Sequence, residues 1–364
     1  MGTNKRAYNF NAGPSALPLE VLEKAQKELL DFNGTGMSVM ELSHRSKDYD
    51  AVHNETITRL KKLFSIPENY EVLLLQGGGS LQFSMVPMNF LQEGKKASYI
   101  LTGSWSEKAL KEARLFGEPI IAASSKENKY RNIPALNEIQ LNPDDAYIHI
   151  TSNNTIYGTA WNEFPDTGDI PLIADMSSDI LSKTIDVSKF GLIYAGAQKN
   201  LGPSGVTVVI IRKDLLEKEN TNVPTMLKYS THAESNSLYN TPPTFGIYML
   251  GEVLKWVEEL GGVAAIEKRN KEKAGLIYDV IDNSNGFYTG HATPDSRSLM
   301  NITFRISDEE LEKQFLVEAK EAGFVGLNGH RSVGGCRAST YNAVPVETCR
   351  ALADFMVEFQ KKYQ

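Results

Sequence analysis

Lys199 stands in Leu192-Ile-Tyr-Ala-Gly-Ala-Gln-Lys199-Asn-Leu-Gly-Pro-Ser-Gly205, between two short apolar runs. A lysine is almost never fully buried without a partner, so a solvated surface position is the ordinary expectation. The small residues on both sides instead permit something bulky to approach closely. A partly desolvated lysine with a lowered pKa is what Schiff-base chemistry requires, because the neutral amine is the nucleophile. Asp175 closes the apolar run Pro171-Leu-Ile-Ala-Asp175, 24 residues earlier. A carboxylate there falls at the carboxyl edge of a sheet, where α/β proteins bind ligands. A helix N-cap or a solvated strand end fits the same pattern. Taken together, an acid for a pyridine nitrogen and a lysine for an aldehyde are the two groups that pyridoxal phosphate asks of a protein.

A third signal is Gln76-Gly77-Gly78-Gly79-Ser80, placed between a buried run and a helical pattern. Consecutive glycines let backbone N–H groups converge at a helix N-terminus, which suits a phosphate. A turn that merely joins two elements reads the same way. The dinucleotide fingerprint is incomplete, because Gln82 stands where its third glycine belongs, and no Gly-Lys-Ser/Thr of a P-loop is present.

These residues need a scaffold. Short, mostly apolar runs at 71–76, 97–102, 146–151, 171–175, 192–195 and 206–211 read as strands covered on both faces. Helical stripes lie between them, including Val21, Leu22, Ala25 and Leu29 after Pro18, and Val52, Thr56, Leu60, Leu63 and Phe64. Helices are also expected over 81–91, where Pro87 would kink or break the element, and over 105–116. Alternating β and α elements predict an α/β domain with helices on both faces of a largely parallel sheet. The pattern changes near residue 258. Two long helical stretches flank Gly261-Gly262, followed by a strand over 299–306, a helix over 308–322, short strand-like pieces near Phe324 and Gly335, and a closing helix over 347–360. This predicts a large domain over 16–258, a smaller α+β domain over 259–364, and residues 1–15 near the site.

Composition narrows the class. The chain has 364 residues, 41% hydrophobic and 23% charged, as in an ordinary globular protein. A net charge of −7 with no basic block argues against nucleic acid or an anionic membrane as partner. No apolar stretch approaches a membrane span, and the first ten residues lack the apolar core of a signal peptide, so a cytoplasmic protein is expected. Cys336 and Cys349 are the only cysteines, too few for a disulfide framework or a thiolate zinc site, and no metal is expected.

Six motifs carry a resemblance: 9–18 (Asn-Phe-Asn-Ala-Gly-Pro-Ser-Ala-Leu-Pro), 38–45 (Ser-Val-Met-Glu-Leu-Ser-His-Arg), 76–83, 194–200, 239–245 (Tyr-Asn-Thr-Pro-Pro-Thr-Phe) and 329–337 (Gly-His-Arg-Ser-Val-Gly-Gly-Cys-Arg). From about residue 8 to the C-terminus the chain resembles the phosphoserine aminotransferase family. That resemblance implies a mixed, mostly parallel seven-stranded sheet of the aspartate-aminotransferase kind (fold type I), with a smaller C-terminal domain. It also implies a homodimer using pyridoxal 5′-phosphate. The implied reaction exchanges an amino group between L-glutamate and 3-phosphohydroxypyruvate, giving 2-oxoglutarate and O-phospho-L-serine, in serine biosynthesis. A further role in vitamin B6 synthesis stays open.

Position by position, the resemblance makes Lys199 the Schiff-base lysine and Asp175 the partner of the pyridine nitrogen. Trp105 would stack on the cofactor ring, and Thr155 would bond its ring-oxygen side. Gly79, Ser80 and Gln198 would hold its phosphate, with Asn240 and Thr241 reaching in from the neighbouring subunit. Arg337 would grip the substrate α-carboxylate. His330, Arg331 and, from the partner subunit, Arg45 would hold the distal anion. Two departures bear on the substrate. Ser80 follows the glycines where some members carry a basic residue, and Ala12 stands where members often have a serine. Both put the preference for phosphate over carboxylate in question, while leaving the reaction class intact. A cysteine desulfurase, which needs a reactive cysteine on a mobile loop, is disfavoured by the positions of both cysteines. A glyoxylate aminotransferase would not need the His330-Arg331 pair.

Overall fold

The structure is a computed structural model that describes residues 6–364. Residues 1–5 of the expected N-terminal segment lie outside the described part.

A seven-stranded sheet is built from β1 (Tyr70–Leu75), β2 (Lys96–Leu101), β3 (Glu118–Ser124), β4 (Ile148–Thr151), β5 (Leu172–Asp175), β6 (Leu192–Gly196) and β7 (Thr207–Arg212). Its spatial order is β1-β7-β6-β5-β4-β2-β3. β7 runs antiparallel to both of its neighbours, and every other pairing is parallel. β4, β5 and β6 are buried at every position, which requires helices on both faces.

One face is covered by α1 (Leu19–Glu28), α2 (Lys47–Leu63) and α7 (Thr244–Glu259). The other is covered by α3 (Gly78–Phe90), α4 (Ser104–Ala113) and the short α6 (Tyr229–Glu234), with α5 (Lys213–Leu216) following β7. α2 starts where Ser46 accepts the Tyr49 N–H through its hydroxyl, a side-chain N-cap.

A separate core holds the C-terminal part. It joins most of α8 (Gly262–Asp282), the antiparallel strands β8 (Tyr288–Gly290), β9 (Asn301–Ile306) and β10 (Cys336–Ser339), α9 (Glu309–Glu321) and α10 (Val346–Tyr363). Phe10 enters this core from the N-terminal segment, whose Tyr8–Asn9 pairs with Phe324–Val325.

Two expectations are corrected. α3 begins at Gly78 and runs through Pro87 to Phe90 without interruption. Pro87 lies in the last turn of the helix, so the missing N–H removes one hydrogen bond near a terminus rather than breaking the element. β3 was not expected at all. It is an edge strand in which only Ala122 is fully buried, and its apolar run opens on Pro119, which reads as a turn residue rather than a strand.

Candidate active site

The carboxyl ends of β4, β5 and β6 open into a cavity of about 260 Å³. Asp175 is the last residue of β5, and Lys199 lies in the turn after β6. Both line the cavity with Gly79, Ser80, Trp105, Thr155, Gln198, His330 and Arg337, all of them named by sequence.

The site is closed by a segment from far away in the chain. Ser15 donates its backbone N–H to the Gln198 carbonyl at 3.0 Å and its hydroxyl to the Lys199 carbonyl at 2.6 Å. Ala12 and Gly13 beside it form part of the wall. A side chain on Gly13 would meet the Lys199 stem at 3.4 Å, so the strap lies flat on the lysine.

The Lys199 ammonium donates to Thr155 Oγ1 at 2.7 Å and stands 5.8 Å from the centroid of the Trp105 ring. Burial is the main cause that pulls its pKa down, to about 8, and the Arg337 charge lowers it further against the pull of Asp175 and Asp179. An amine poised there is partly neutral near neutral pH, as a nucleophile must be. The Asp175 carboxyl is 6% exposed and accepts the Ser177 N–H at 2.9 Å. Burial raises its pKa, opposed by the Ser177 bonds and the Lys199 charge. A buried acid of this kind gains most from a cationic N–H partner.

At the glycine loop the chain turns sharply. Gly77 has φ +91°, and a Cβ there would strike the Leu81 side chain at 2.4 Å. Gly79 is the second residue of α3, where a Cβ would meet Ser177 Oγ at 3.2 Å. The unpaired N–H groups of this helix start, with Ser80, Ser177 and Gln198 around them, form an anion cradle. Ser177 was missed from sequence. Its hydroxyl accepts the Gly196 N–H at 3.1 Å and so ties β6 to the cradle. Asp179 was missed as well. It accepts a hydrogen bond from Ser152, and burial lifts its pKa to about 6.

The substrate end is formed by β10 and the preceding loop. Arg337 donates through Nη1 to the Thr155 carbonyl at 3.1 Å, while its Nε is buried with no partner among the described residues. Burial lowers its pKa. A guanidinium with unused donors facing a cavity fits a carboxylate. The His330 ring pairs through Nδ1 with Ser332 Oγ at 2.7 Å. Its pKa is lowered by burial first, then by the Arg337, Arg331 and Lys108 charges. Arg331 is exposed beside it and does not line the cavity. Arg45, just before α2, and Asn240 and Thr241, just before α7, do not line their own chain's cavity either.

The chemistry of this donor set fits pyridoxal phosphate: a buried acid, a lysine of lowered pKa, an aromatic wall and an anion cradle converge in one cavity. Among the described residues no group of histidine, cysteine and acidic side chains could hold a metal ion.

Comparison with known proteins agrees. The family described as aminotransferase class-V matches residues 7–352. A phosphoserine aminotransferase of Lysinibacillus sphaericus is 78% identical, over 99% of each chain. The structure of phosphoserine aminotransferase from Bacillus circulans subsp. alkalophilus superposes with a TM-score of 0.97 at 60% identity, covering 99% of each chain. The pyridoxal-phosphate-bound enzyme of Trichomonas vaginalis superposes at 0.92 with 41% identity, covering 97% of this chain and 100% of that one. The chain therefore belongs to the class-V aminotransferases, in their phosphoserine aminotransferase branch.

Proposed function

We propose that the cavity carries out amino-group exchange between L-glutamate and 3-phosphohydroxypyruvate, giving 2-oxoglutarate and O-phospho-L-serine, with each residue in the role set out below. The observation that supports it most is the meeting of Lys199, Asp175 and Arg337 in one cavity. The protein is a pyridoxal-phosphate-dependent aminotransferase acting in serine biosynthesis. Bound, the cofactor supplies an aldehyde that carries the amino group and a pyridinium ring that accepts electron density.

Lys199 would anchor the cofactor through its aldehyde, and its amine is placed to move the proton at the substrate Cα. Thr155 holds the lysine amine in place by accepting its hydrogen bond. Asp175 would keep a proton on the cofactor's ring nitrogen, and Trp105 would shield the ring from water. Gly79, Ser80 and Gln198 hold the cofactor phosphate. Arg337 fixes the α-carboxylate, which aims the Cα–H at Lys199.

Arg45, Asn240 and Thr241 act across a homodimer interface, the first on the distal anion and the others on the cofactor phosphate. Exposed apolar residues flank them in sequence, namely Leu29, Leu30, Met37 and Met40 ahead of Arg45 and Tyr239 next to Asn240. Such a concentration suits a covered face. The chain divides into a large domain over 16–258 and a small one over 259–364, the turn at Gly261-Gly262 joining them. Its expected place is the cytoplasm; among the described residues no helix is long and apolar enough to cross a membrane.

The test is direct. Protein loaded with pyridoxal phosphate should form glutamate from O-phospho-L-serine and 2-oxoglutarate. It should be yellow, and borohydride should fix the cofactor on Lys199. Absence of glutamate from a fully loaded sample would overturn the reading.

A further inference from the structure

We propose that Lys108 is a specificity-determining residue, a mobile cationic arm that engages a substrate phosphate and not a substrate carboxylate. The inference rests on the phosphoserine-type reading above and deepens it.

Lys108 lies on α4 three residues after Trp105, so the two side chains share a helix face. Its ammonium stands 4.2 Å from the centroid of the Trp105 ring, and Trp105 lines the cavity. The residue is exposed, and the acids near it on the helix are engaged elsewhere. Glu107 pairs with Lys126 and Tyr130, and Glu112 accepts from Ser84. The ammonium is therefore held near the cavity by an indole face, a weak contact that an anion can outcompete. It is also close enough to His330 for its charge to help lower that imidazole's pKa, together with Arg337 and Arg331. Lys108 thus belongs to the same positive field as the residues proposed for the distal anion. Ser80, on the cradle side of the cavity, contributes no charge there.

The two substrates differ in what they ask of that field. A side-chain carboxylate has two coplanar oxygens, which one guanidinium satisfies bidentately. A phosphate monoester is tetrahedral, has three free oxygens and carries close to two charges at neutral pH. Its third oxygen leaves the plane of any one guanidinium, and an ammonium on a flexible four-carbon stem can follow it. Lys108 is such a group, with no carboxylate on its own helix holding it back.

The experiment compares Lys108→Gln, Lys108→Arg and Lys111→Gln as pyridoxal-phosphate-loaded enzymes, with both half-reactions measured. Lys111 is the neighbouring exposed cation on α4 and controls for general surface charge. In Lys108→Gln, KM for O-phospho-L-serine should rise roughly three- to tenfold, as for loss of one partly exposed charge-assisted contact, while KM for L-glutamate moves less than about twofold. Maximal rates should stay near wild type for both. Inorganic phosphate binding to the same loaded protein, followed by calorimetry, should weaken in parallel, and Lys108→Arg should restore most of both losses. Equal changes for the two substrates, no change for O-phospho-L-serine, or an equal effect of Lys111→Gln would each overturn the assignment. Transamination of glutamate by these same samples keeps the enzyme reading standing in all three cases, so the two failures are distinguishable.

Discussion

The two ends of the cavity are built on different principles. At the cofactor end, Asp175 ends a strand of the large sheet, Lys199 lies in the turn after another, and Thr155 sits in the tight turn between Asn153–Asn154 and Thr159–Ala160; each is fixed by a hydrogen bond within this chain. At the end proposed for the distal anion, Arg331, Lys108 and Arg45 are exposed, His330 sits on a loop before β10, and Arg45 does not line its own chain's cavity. The first arrangement preorganises groups whose geometry must not vary during the reaction. The second offers exposed cations on long side chains, which suits the proposed task of accepting two differently shaped anions. On the proposed roles, chemistry belongs to the rigid end and substrate choice to the soft end. Substitutions at the two ends should accordingly fail in different kinetic parameters.

The largest effect is expected at the rigid end. Lys199→Ala should fold normally, as judged by circular dichroism, and lose more than about 10⁴-fold in kcat, because both the cofactor anchor and the base at Cα disappear. Substantial residual turnover would move the rigid end elsewhere. Asp175→Ala comes next, with kcat lower by roughly 10²–10⁴-fold as the group that holds the ring proton is lost. Near-normal turnover there would mean that another acid serves, Asp179 being the nearest candidate on electrostatic grounds.

A pH experiment sharpens the same contrast. The folded-state pKa of Lys199 is lowered to about 8, so its neutral fraction grows as pH rises through 8 rather than through the ordinary lysine range. In cofactor-free protein, the rate of pyridoxal phosphate capture should climb roughly tenfold per pH unit below pH 8 and level off above it. A rate that keeps climbing to pH 10 would show that Lys199 is not poised by its surroundings.

Arg337 stands between the two ends, half-buried and lining the cavity with guanidinium donors left over for a substrate carboxylate. Arg337→Ala should lower kcat/KM roughly ten- to a hundredfold for every amino-acid substrate alike, since all carry the α-carboxylate. A loss confined to phosphorylated substrates would place Arg337 in the soft end instead.

The rigid end was more legible in sequence than the soft one, for a physical reason. Asp175 closes a continuous apolar run and Lys199 follows another by three residues; each has an ordinary reading alone, and it is the pairing of acid and lysine across one strand that made them legible. Gly77 and Gly78 were legible because a positive φ leaves a residue-type signature, and Gly79 because the helix start packs closely against Ser177. Ser177 left none. A serine two residues past a strand looks like any turn residue, and only the closure of β6 against α3 shows its hydroxyl between them. Likewise Ser15 joins the lysine turn across 184 residues of chain, a contact no local pattern encodes. Lys108 went unread because an exposed lysine on an amphipathic helix is the commonest kind of solvated charge. β3 and the passage of α3 through Pro87 were missed because edge strands and helix ends obey weaker rules than buried centres.

The smallest effect concerns Arg45, which gives the cleanest test of the soft end. Arg45→Ala should raise KM for O-phospho-L-serine and glutamate together, by roughly tenfold at most if solvent screens the contact. Single-mutant data cannot tell which site the arginine serves, but mixing subunits can. Arg45→Ala protein is combined with Lys199→Ala protein and the dimers are allowed to exchange, with hybrids confirmed by differential tags. If Arg45 acts across the interface, the hybrid has one site that combines an intact Lys199 with the intact Arg45 of its partner. Half of randomly assorted dimers are hybrids and each carries one repaired site in two, so kcat/KM should recover to about a quarter of wild type. If Arg45 serves its own chain, every site keeps one defect and mixing restores nothing beyond the parents. That outcome, in samples with hybrids demonstrated, would place the whole soft end within one chain. The exposed apolar residues at 29–40 would then need another explanation.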